Sequence, residues 1–227
     1  MLKPTPKIVV IIPAVNEEKS IGKVINELPH QIISKVLVCN NGSTDRTKEV
    51  ALEAGATVLD EPRKGYGWAC LKGLDYISKM NDKPDIVVFI DGDFSDYPKE
   101  LSLVVAPILN DDIDLVIGSR ALGAKEKGSM TFPQRFGNWL ATRLMRLFYH
   151  VRYTDLGPFR AIKYDKLLLL KMDDKTYGWT IEMQIKAAKH KLTYIEVPVN
   201  YKKRIGVSKV SGTIKGTILA GYKIIFA

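Results

Sequence analysis

The chain has 227 residues, of which 46% are hydrophobic and 26% are charged. This length and balance are typical of one ordinary globular α/β domain, and they exclude a disordered or fibrous chain. Its 34 lysines and arginines against 25 acidic residues give a net charge of +9. Such an excess favours polyanionic partners, whether nucleic acid, anionic lipid headgroups or phosphorylated substrates. A generally basic soluble protein has the same balance.

The spacing of the cysteines and histidines indicates neither a redox pair nor a metal site. Cys39 and Cys70 form no Cys-x-x-Cys pair, and the three histidines show no metal-ligand spacing. Two free thiols in a reducing compartment are therefore expected. No apolar stretch reaches the roughly 18 residues that a spanning helix needs, and Lys3 and Lys7 do not fit a secretory signal. The sequence predicts a cytoplasmic protein.

Strand-like and helix-like patterns alternate over the first half of the chain. Short apolar runs bounded by turn residues predict strands over 8–13, 36–39, 57–59, 85–90 and 115–117. Apolar residues at helical spacing predict helices over about 16–28, 45–54, 67–80 and 98–109, with Asn16 and Asp45 as N-caps. This alternation predicts βαβ units and an α/β fold with a mostly parallel sheet.

The alternation of strand-like and helix-like patterns stops after Gly118. A long loop with glycines and lysines, residues 121–133, precedes an amphipathic helix whose apolar residues are Phe136, Trp139, Leu140, Leu144, Leu147 and Phe148. A loop of this length is usually functional or mobile rather than a plain connector. A further helix is predicted over 176–189 and a strand over 192–197.

The C-terminal segment, residues 210–227, is also amphipathic. Its apolar residues recur at helical spacing beside Lys215 and Lys223: Ile214, Ile218, Tyr222 and Ile225. The segment is too short and too charged to cross a bilayer, but it suits a helix at a membrane surface. The alternative, given equal weight, is a helix whose apolar stripe covers the core of its own domain.

Three predicted strands end in small or polar residues, at 13–17, 40–45 and 91–93. Because the carboxyl ends of parallel strands meet at one edge of a sheet, these clusters predict a pocket for a polar ligand. Asp91 and Asp93 present carboxylate oxygens, which Mg²⁺ commonly shares with substrate phosphates. Although a lone Asp-x-Asp is common by chance, the three clusters together predict a metal-bridged diphosphate, as in a nucleotide-sugar.

Between these clusters lies a basic, glycine-containing segment. Arg63, Lys64 and Gly65 precede the helix predicted from Gly67. Glycine allows close backbone approach, and a helix N-terminus offers free amides to an anion. The segment matches neither a P-loop nor the full dinucleotide fingerprint, and a solvated turn is the alternative.

In this order along the chain, these segments resemble the family 2 glycosyltransferases of the GT-A fold, especially the dolichyl- or undecaprenyl-phosphate sugar synthases. The resemblance extends from Ile8 to about Ile225. Its most specific elements are IPAVNEE (12–18), NGSTD (41–45), DGD (91–93), GSR (118–120), TDLGPFR (154–160) and RIGVSK (204–209). It implies one GT-A-like domain over 1–227, with a nucleotide-sugar half (1–118), an acceptor half (119–209) and a C-terminal helix (210–227).

The resemblance implies roles for the matching positions. Asp93 would be a catalytic residue that binds Mg²⁺ or Mn²⁺ together with Asp91. The nucleotide-sugar would be contacted by the strand ends and the basic segment: Pro13, Ala14, Asn16, Glu17, Asn40, Asn41, Ser43, Arg63, Lys64, Gly65, Asp91 and Gly92.

Two departures from the family pattern affect the expected specificity. The family usually has Asp-Asp-Gly-Ser where this chain has Asn40 and Asn41. An amide both donates and accepts hydrogen bonds whereas a carboxylate only accepts, so the choice between UDP and GDP stays open. Gln-His commonly follows Asp-x-Asp-x, and here Ser95 and Asp96 stand instead, which changes the expected outer ligands of the metal.

The resemblance also brings four cations towards an acceptor phosphate: Arg120, Arg135, Arg204 and Lys209. Arginine binds phosphate bidentately, although each cation alone is more typical of a solvated surface. Asp155, beside a Gly-Pro turn, would be the general base or a positioning carboxylate. Glu182 lies in an apolar helix start, where an unpaired carboxylate is costly. It is expected to pair with an arginine or the acceptor, and it is grouped with Asp93 and Asp155 as a catalytic residue.

Together these features predict an enzyme that moves a sugar from a nucleoside diphosphate to a polyprenyl phosphate by inverting, metal-assisted displacement. A phosphate monoester with a second pKa of about 6 arrives ionised and needs little general-base help. The main alternative is a transferase acting on a soluble or glycan hydroxyl. Without a nucleic-acid-binding motif, no nucleic acid partner is expected. The protein is expected in the cytoplasm, at the inner face of the membrane.

Overall fold

The computed structural model describes residues 6–206, so Lys209 and the helix predicted over 210–227 lie outside the described residues. Within 6–206 the strands are β1 Ile8–Ala14, β2 Lys35–Asn40, β3 Thr57–Asp60, β4 Ile86–Phe89, β5 Leu115–Ser119, β6 Arg160–Lys163 and β7 Tyr194–Pro198. The α-helices are α1 Ile21–Glu27, α2 Thr47–Glu53, α3 Tyr66–Lys79, α4 Leu101–Asp111, α5 Phe132–Tyr149, α6 Tyr164–Leu170 and α7 Trp179–Lys189.

The seven strands form one sheet in the order β3-β2-β1-β4-β6-β5-β7. All neighbouring strands are parallel except β6, which runs antiparallel to both β4 and β5. The α/β fold with a mostly parallel sheet is therefore confirmed. β6 and α6 were not predicted, because β6 is short and begins with the charged Arg160. The burial of that arginine depends on backbone carbonyls outside the strand: its guanidinium donates to the oxygens of Gly157, three residues away, and Thr180, 20 residues away.

Two hydrophobic clusters cover the two faces of the sheet. Alternate residues of β1 supply each of them, with Val9 and Ile11 on one side and Val10 and Ile12 on the other. This alternation follows from the period of two along a strand, and because both faces are covered the strand is apolar throughout. The resulting three-layer arrangement leaves the carboxyl edge of the parallel strands for the site.

Two predicted helix caps are wrong. α1 begins only at Ile21, after Ser20. Asn16 has a positive φ of 51°, and its Oδ1 accepts a hydrogen bond from the Thr44 amide at 2.8 Å. Asp45 likewise precedes α2, whose N-cap is Arg46. Both side chains are used to join the first two strand-end loops.

The predicted amphipathic helix exists as α5, but its apolar residues are divided between two faces. Ala141 and Met145 are buried, whereas Phe136 and Trp139 are exposed. Among residues 6–206, none of the helices combines the length and the apolar character needed to cross a bilayer.

Candidate functional site

The loops after β1 and β2 are joined at the carboxyl edge of the sheet. The Asn16 amide donates to Ser43 Oγ at 3.0 Å, and the Glu17 amide donates to Thr47 Oγ1 at 2.7 Å. Pro13 and Ala14 end β1 in the buried interior. The first two predicted clusters therefore form one continuous surface, which is what a nucleotide pocket requires.

The two asparagines after β2 have different surroundings. Asn41 is used structurally: its Nδ2 donates to the carbonyls of Glu61 and Arg63, and its Oδ1 accepts from the Gly65 amide at 2.8 Å. Asn40 donates to Asp60 Oδ1 at 2.9 Å. The Asn40 Oδ1 accepts from the Ser43 amide at 3.3 Å. Asn41 thus fixes the basic segment, whereas Asn40 joins the end of β3 to the loop after β2.

The basic segment is itself preorganised. Arg63 pairs with the buried Glu61, with Nε 2.7 Å from Oε1, and its guanidinium lies 3.6 Å from the ring centre of Trp68. Lys64 is exposed, and Gly65 has a φ of 146° that favours glycine. The arginine is held in place by its partners while the neighbouring lysine faces solvent.

A strap, residues 173–176, crosses this segment. Gly67 donates to the Thr176 carbonyl at 3.0 Å, and a Cβ on Gly67 would lie 1.8 Å from the Asp174 carbonyl oxygen. Glu182 anchors the strap, because its two oxygens accept from the amides of Asp173 and Asp174 at 2.9 and 2.8 Å.

Glu182 also pairs with Lys186 at 2.7 Å. The sequence predicted an arginine or the acceptor as its partner, and the structure pairs it with this lysine. Its other side-chain contacts, with the amides of Asp173 and Asp174, hold the strap.

Asp91 and Asp93 follow β4 and lie between these loops. Asp93 is buried, and Ser95 donates to its Oδ1 through the amide at 2.9 Å and the hydroxyl at 2.5 Å. Asp91 accepts a hydrogen bond from the Tyr66 hydroxyl at 3.0 Å. Burial, reinforced by the negative charge of Asp93, raises the pKa of Asp91 to about 7. Two crowded carboxylates of this kind are stabilised by a cation.

These two carboxylates fit a Mg²⁺ or Mn²⁺ ion that takes its other ligands from water and a diphosphate. Within residues 6–206, no group of three or more His, Cys, Asp or Glu side chains is arranged to hold a metal by itself. The protein alone would therefore form an incomplete site, which is typical of ions bound together with substrate phosphates.

Arg204 lies on the donor side of the site. Its Nη2 is 3.0 Å from Asp93 Oδ2 and 3.6 Å from Glu17 Oε1. The adjoining backbone crosses the same loop, since Ile205 donates to the Asp93 carbonyl at 2.9 Å. Arg204 is thus beside the candidate metal ligands, whereas the sequence grouped it with the acceptor cations.

Asp96 is a site residue to which the sequence analysis gave no role of its own. Its side chain is buried, and neither carboxylate oxygen makes a hydrogen bond within the described residues. Burial and the charge of Asp91 raise its pKa. Asp96 pairs through its backbone with Tyr201, whose ring centre lies 5.0 Å from the Arg120 guanidinium. This chain of contacts joins the donor carboxylates to the acceptor side.

Arg120 and Asp155 form a buried ion pair. Nε and Nη2 of Arg120 each lie 2.8 Å from a different oxygen of Asp155, and the Arg120 amide donates to Oδ2 at 2.8 Å. Burial alone would lower the pKa of Arg120, but the adjacent Asp155 carboxylate raises it above its ordinary value. With both oxygens occupied, Asp155 has the geometry of a positioning carboxylate.

A cavity of about 200 Å³ opens next to this pair. Arg135 and Asn138 line it from successive turns of α5, and Lys125 lines it from the preceding loop. Lys125 and Asn138 were not among the predicted site residues, although the spacing of Arg135 and Asn138 indicates a shared helix face. Together with Asp155 they form a basic, hydrogen-bonding recess suited to an anionic acceptor.

The geometry agrees with comparisons to known proteins. The model of the family described as Glycosyl transferase family 2 matches residues 9–169. A glycosyltransferase of Mycobacterium tuberculosis, itself uncharacterised, is 33% identical over 216 residues, covering 94% of both chains. A dolichyl-phosphate hexose transferase of Haloferax volcanii is 31% identical over 205 residues, covering 88% of this chain and 85% of the relative.

Solved structures show the same fold. The glucosyl-3-phosphoglycerate synthase of Mycobacterium tuberculosis, in complex with Mn²⁺, UDP and its product, superimposes with a TM-score of 0.73 at 24% identity. The match covers 97% of this chain and 77% of that one. At this identity the likeness establishes the GT-A fold, and the acceptor must be argued from the residues of the chain itself.

Proposed function

Because the chain belongs to glycosyl transferase family 2, it is a glycosyltransferase, and we propose that it transfers a hexose from a nucleoside diphosphate sugar to a polyprenyl phosphate. Dolichyl and undecaprenyl phosphate are acceptors of this class. The observation that carries the proposal is the cationic cavity at Arg135 and Lys125, next to the Arg120–Asp155 pair. Arginine binds phosphate through two parallel hydrogen bonds, so these cations favour a phosphate group on the acceptor.

Relatives named for the same chemistry support this acceptor. Besides the dolichyl-phosphate hexose transferase, a UDP-N-acetylglucosamine–dolichyl-phosphate N-acetylglucosaminyltransferase of Methanococcus voltae is 29% identical over 242 residues. This alignment covers 96% of the chain and 93% of the relative. Both names describe transfer to a lipid-linked phosphate.

On the donor side, Asp91 and Asp93 would hold Mg²⁺ or Mn²⁺, which when bound acts as a Lewis acid towards the leaving diphosphate. Arg204, 3.0 Å from Asp93, adds positive charge at the same place. The loops held by Asn16, Ser43 and the strap would enclose the nucleotide. These groups offset the negative charge that develops on the leaving group as the glycosidic bond breaks.

On the acceptor side, Arg135 and Lys125, which line the cavity, would orient the phosphate, with Arg120 beside them in its pair with Asp155. One phosphate oxygen attacks the anomeric carbon in line with the departing diphosphate, so the configuration inverts. Since the acceptor is already ionised at neutral pH, no proton need be removed. Asp155 then acts by holding Arg120, which agrees with its two occupied oxygens.

A transfer assay with matched acceptors tests this proposal. A short prenyl phosphate, the corresponding prenol and 3-phosphoglycerate are each offered with UDP- and GDP-hexoses and Mn²⁺. Transfer to the prenyl phosphate alone is expected. Arg135→Met should raise the KM for that acceptor by about tenfold or more, as expected for the loss of a charged hydrogen bond. Arg143→Met, on the same helix but away from the cavity, is the control.

Transfer to the prenol or to 3-phosphoglycerate, with none to the prenyl phosphate, would contradict the proposed acceptor. It would favour the alternative of a hydroxyl acceptor. A thermal-shift panel of UDP, GDP, CDP and dTDP with and without Mn²⁺ identifies the nucleotide independently. A shift with one nucleotide that requires the metal is expected.

A further inference from the structure

We propose that the exposed face of α5 is the surface through which the protein lies on a bilayer containing anionic phospholipid. Large residues recur along this face at spacings of four, three, four and four: Phe132, Phe136, Trp139, Arg143 and Leu147. The spacing keeps them on one side of the helix. Phe132, Trp139 and Leu147 are 72%, 52% and 66% exposed. The proposal rests on the proposed lipid-phosphate acceptor and adds where that lipid is met.

This face is not the packing face of the helix. Ala141 and Met145, on the opposite side, are buried in the core. The exposed rings instead contact one another: the ring centres of Phe132 and Phe136 are 6.4 Å apart, and those of Phe136 and Trp139 are 5.8 Å apart. A contiguous exposed aromatic cluster on a helix that already has a packing face indicates an interaction surface.

The positive charges around the aromatic cluster favour an anionic partner. Arg135, Arg143 and Arg146 are exposed on α5, which contains no acidic residue. The preceding loop adds Lys125 and Lys127. Aromatic residues at the level of lipid headgroups, flanked by arginines, are characteristic of helices lying at an anionic membrane surface.

The position of the cavity supports the same partner. Arg135 and Asn138 line the cavity, and Phe136 and Trp139 follow them directly on the exposed side of the helix. A lipid whose phosphate enters the cavity would therefore leave its chain beside the aromatic face. α5 would therefore bind the phosphate headgroup of the acceptor on one side and lie against the membrane on the other.

Vesicle binding tests the proposal with the full chain. Co-sedimentation is measured with phosphatidylcholine vesicles and with vesicles that also contain phosphatidylglycerol, at low and high salt. Binding is expected only with the anionic vesicles and should weaken as salt rises. Phe132→Ser with Trp139→Ser should lower the partition coefficient by about tenfold or more. Leu52→Ser with Leu103→Ser, which are also exposed apolar positions, on α2 and α4, should leave the partition coefficient unchanged.

A fluorescence measurement checks the contact directly. Brominated lipids should quench part of the wild-type tryptophan emission, and Trp139→Phe should remove that part. Equal vesicle binding by the wild type and the Phe132–Trp139 double variant would overturn the proposal. So would binding that does not depend on anionic lipid. A wild type that proves dimeric and a double variant that is monomeric, with vesicle binding intact, would assign the face to self-association and also overturn the proposal.

The same variants separate this proposal from the proposed function. Transfer to a short, water-soluble prenyl phosphate should be unchanged in the double variant, because Phe132 and Trp139 do not line the cavity. If the wild type fails to transfer to that acceptor, the proposed function is wrong, while the vesicle experiment still decides the role of α5.

Discussion

Replacing Asp155 by asparagine removes the carboxylate that holds a buried arginine. Asp155 is 1% exposed and accepts three hydrogen bonds of 2.8 Å from Arg120, two from the guanidinium and one from the backbone. Asparagine keeps one acceptor oxygen and turns an NH₂ group towards the other donors. Breaking a buried pair costs about 3–5 kcal/mol, because the remaining charge is uncompensated. For a chain of this size, the Tm should fall by roughly 10 °C.

Urea unfolding followed by circular dichroism measures this loss, with Asp165→Asn, an exposed carboxylate on α6, as the control. At a temperature where the variant stays folded, kcat should fall by about 10²-fold or more. If Asp155 acts through Arg120, Arg120→Met should cause a similar loss, and the double variant should be no worse than either single one. Unfolding free energy within about 1 kcal/mol of wild type, with normal kcat, would refute this reasoning.

Three further predictions concern the donor side. Asp93→Ala should abolish turnover while the circular dichroism spectrum stays native, because a metal ligand is lost. Burial raises the pKa of Asp91 to about 7, and the carboxylate must lose its proton to bind a metal. As pH increases, the Mn²⁺ affinity measured by calorimetry should therefore rise about tenfold per pH unit up to pH 7 and level off above it. Glu182→Gln should raise the KM for the donor and lower stability by about 1.5–3 kcal/mol, with little change in kcat, because the strap loses an anchor.

Each of these has a contrary outcome. Activity of Asp93→Ala in the presence of EDTA would refute a metal site at this position. A Mn²⁺ affinity that changes equally with pH in wild type and Asp91→Asn would assign the titration to another group. Loss of kcat in Glu182→Gln, with an unchanged KM for the donor, would return Glu182 to the reacting centre.

The raised pKa of Asp91 also predicts how folding stability depends on pH when no metal is bound. Between the ordinary Asp pKa of 3.8 and about 7, native Asp91 holds a proton that the unfolded chain has lost. The contribution of this group to the unfolding free energy therefore decreases as pH rises through that window. Chemical denaturation in EDTA should show a smaller decrease for Asp91→Asn.

The donor edge of the sheet could be predicted because its signals are local. Each strand is an apolar run followed directly by its polar cluster, and parallel pairing of β1 with β2 and β4 places those clusters together. Sequence reasoning also placed Arg63 and Gly65 between them. The family resemblance was confirmed by the match over residues 9–169.

The partners of the charged residues could not be predicted in the same way. Arg120 and Asp155 are separated by 35 residues, and nothing in either local pattern indicates that they pair. Arg204 lies beside Asp93 because residues 201–205 cross the loop after β4, which only the folded chain shows. β6 was missed for a related reason: a buried arginine in a strand is stable only where carbonyls accept its hydrogen bonds, and the acceptor Thr180 lies 20 residues away.

The antiparallel placement of β6 has a consequence for how acceptor preference can change. The end of β5 and the start of β6 are neighbours, since Ile117 pairs with Arg160 and Gly118 donates to the Phe159 carbonyl at 2.8 Å. Residues 120–158, which contain α5 and all the residues that line the cavity, therefore leave and re-enter the sheet at neighbouring positions. We expect that exchanging this segment for a relative's would change acceptor preference while every strand keeps its register, provided that its contacts with residues 196–201, such as the Asp155 amide with Glu196 at 3.0 Å, are kept.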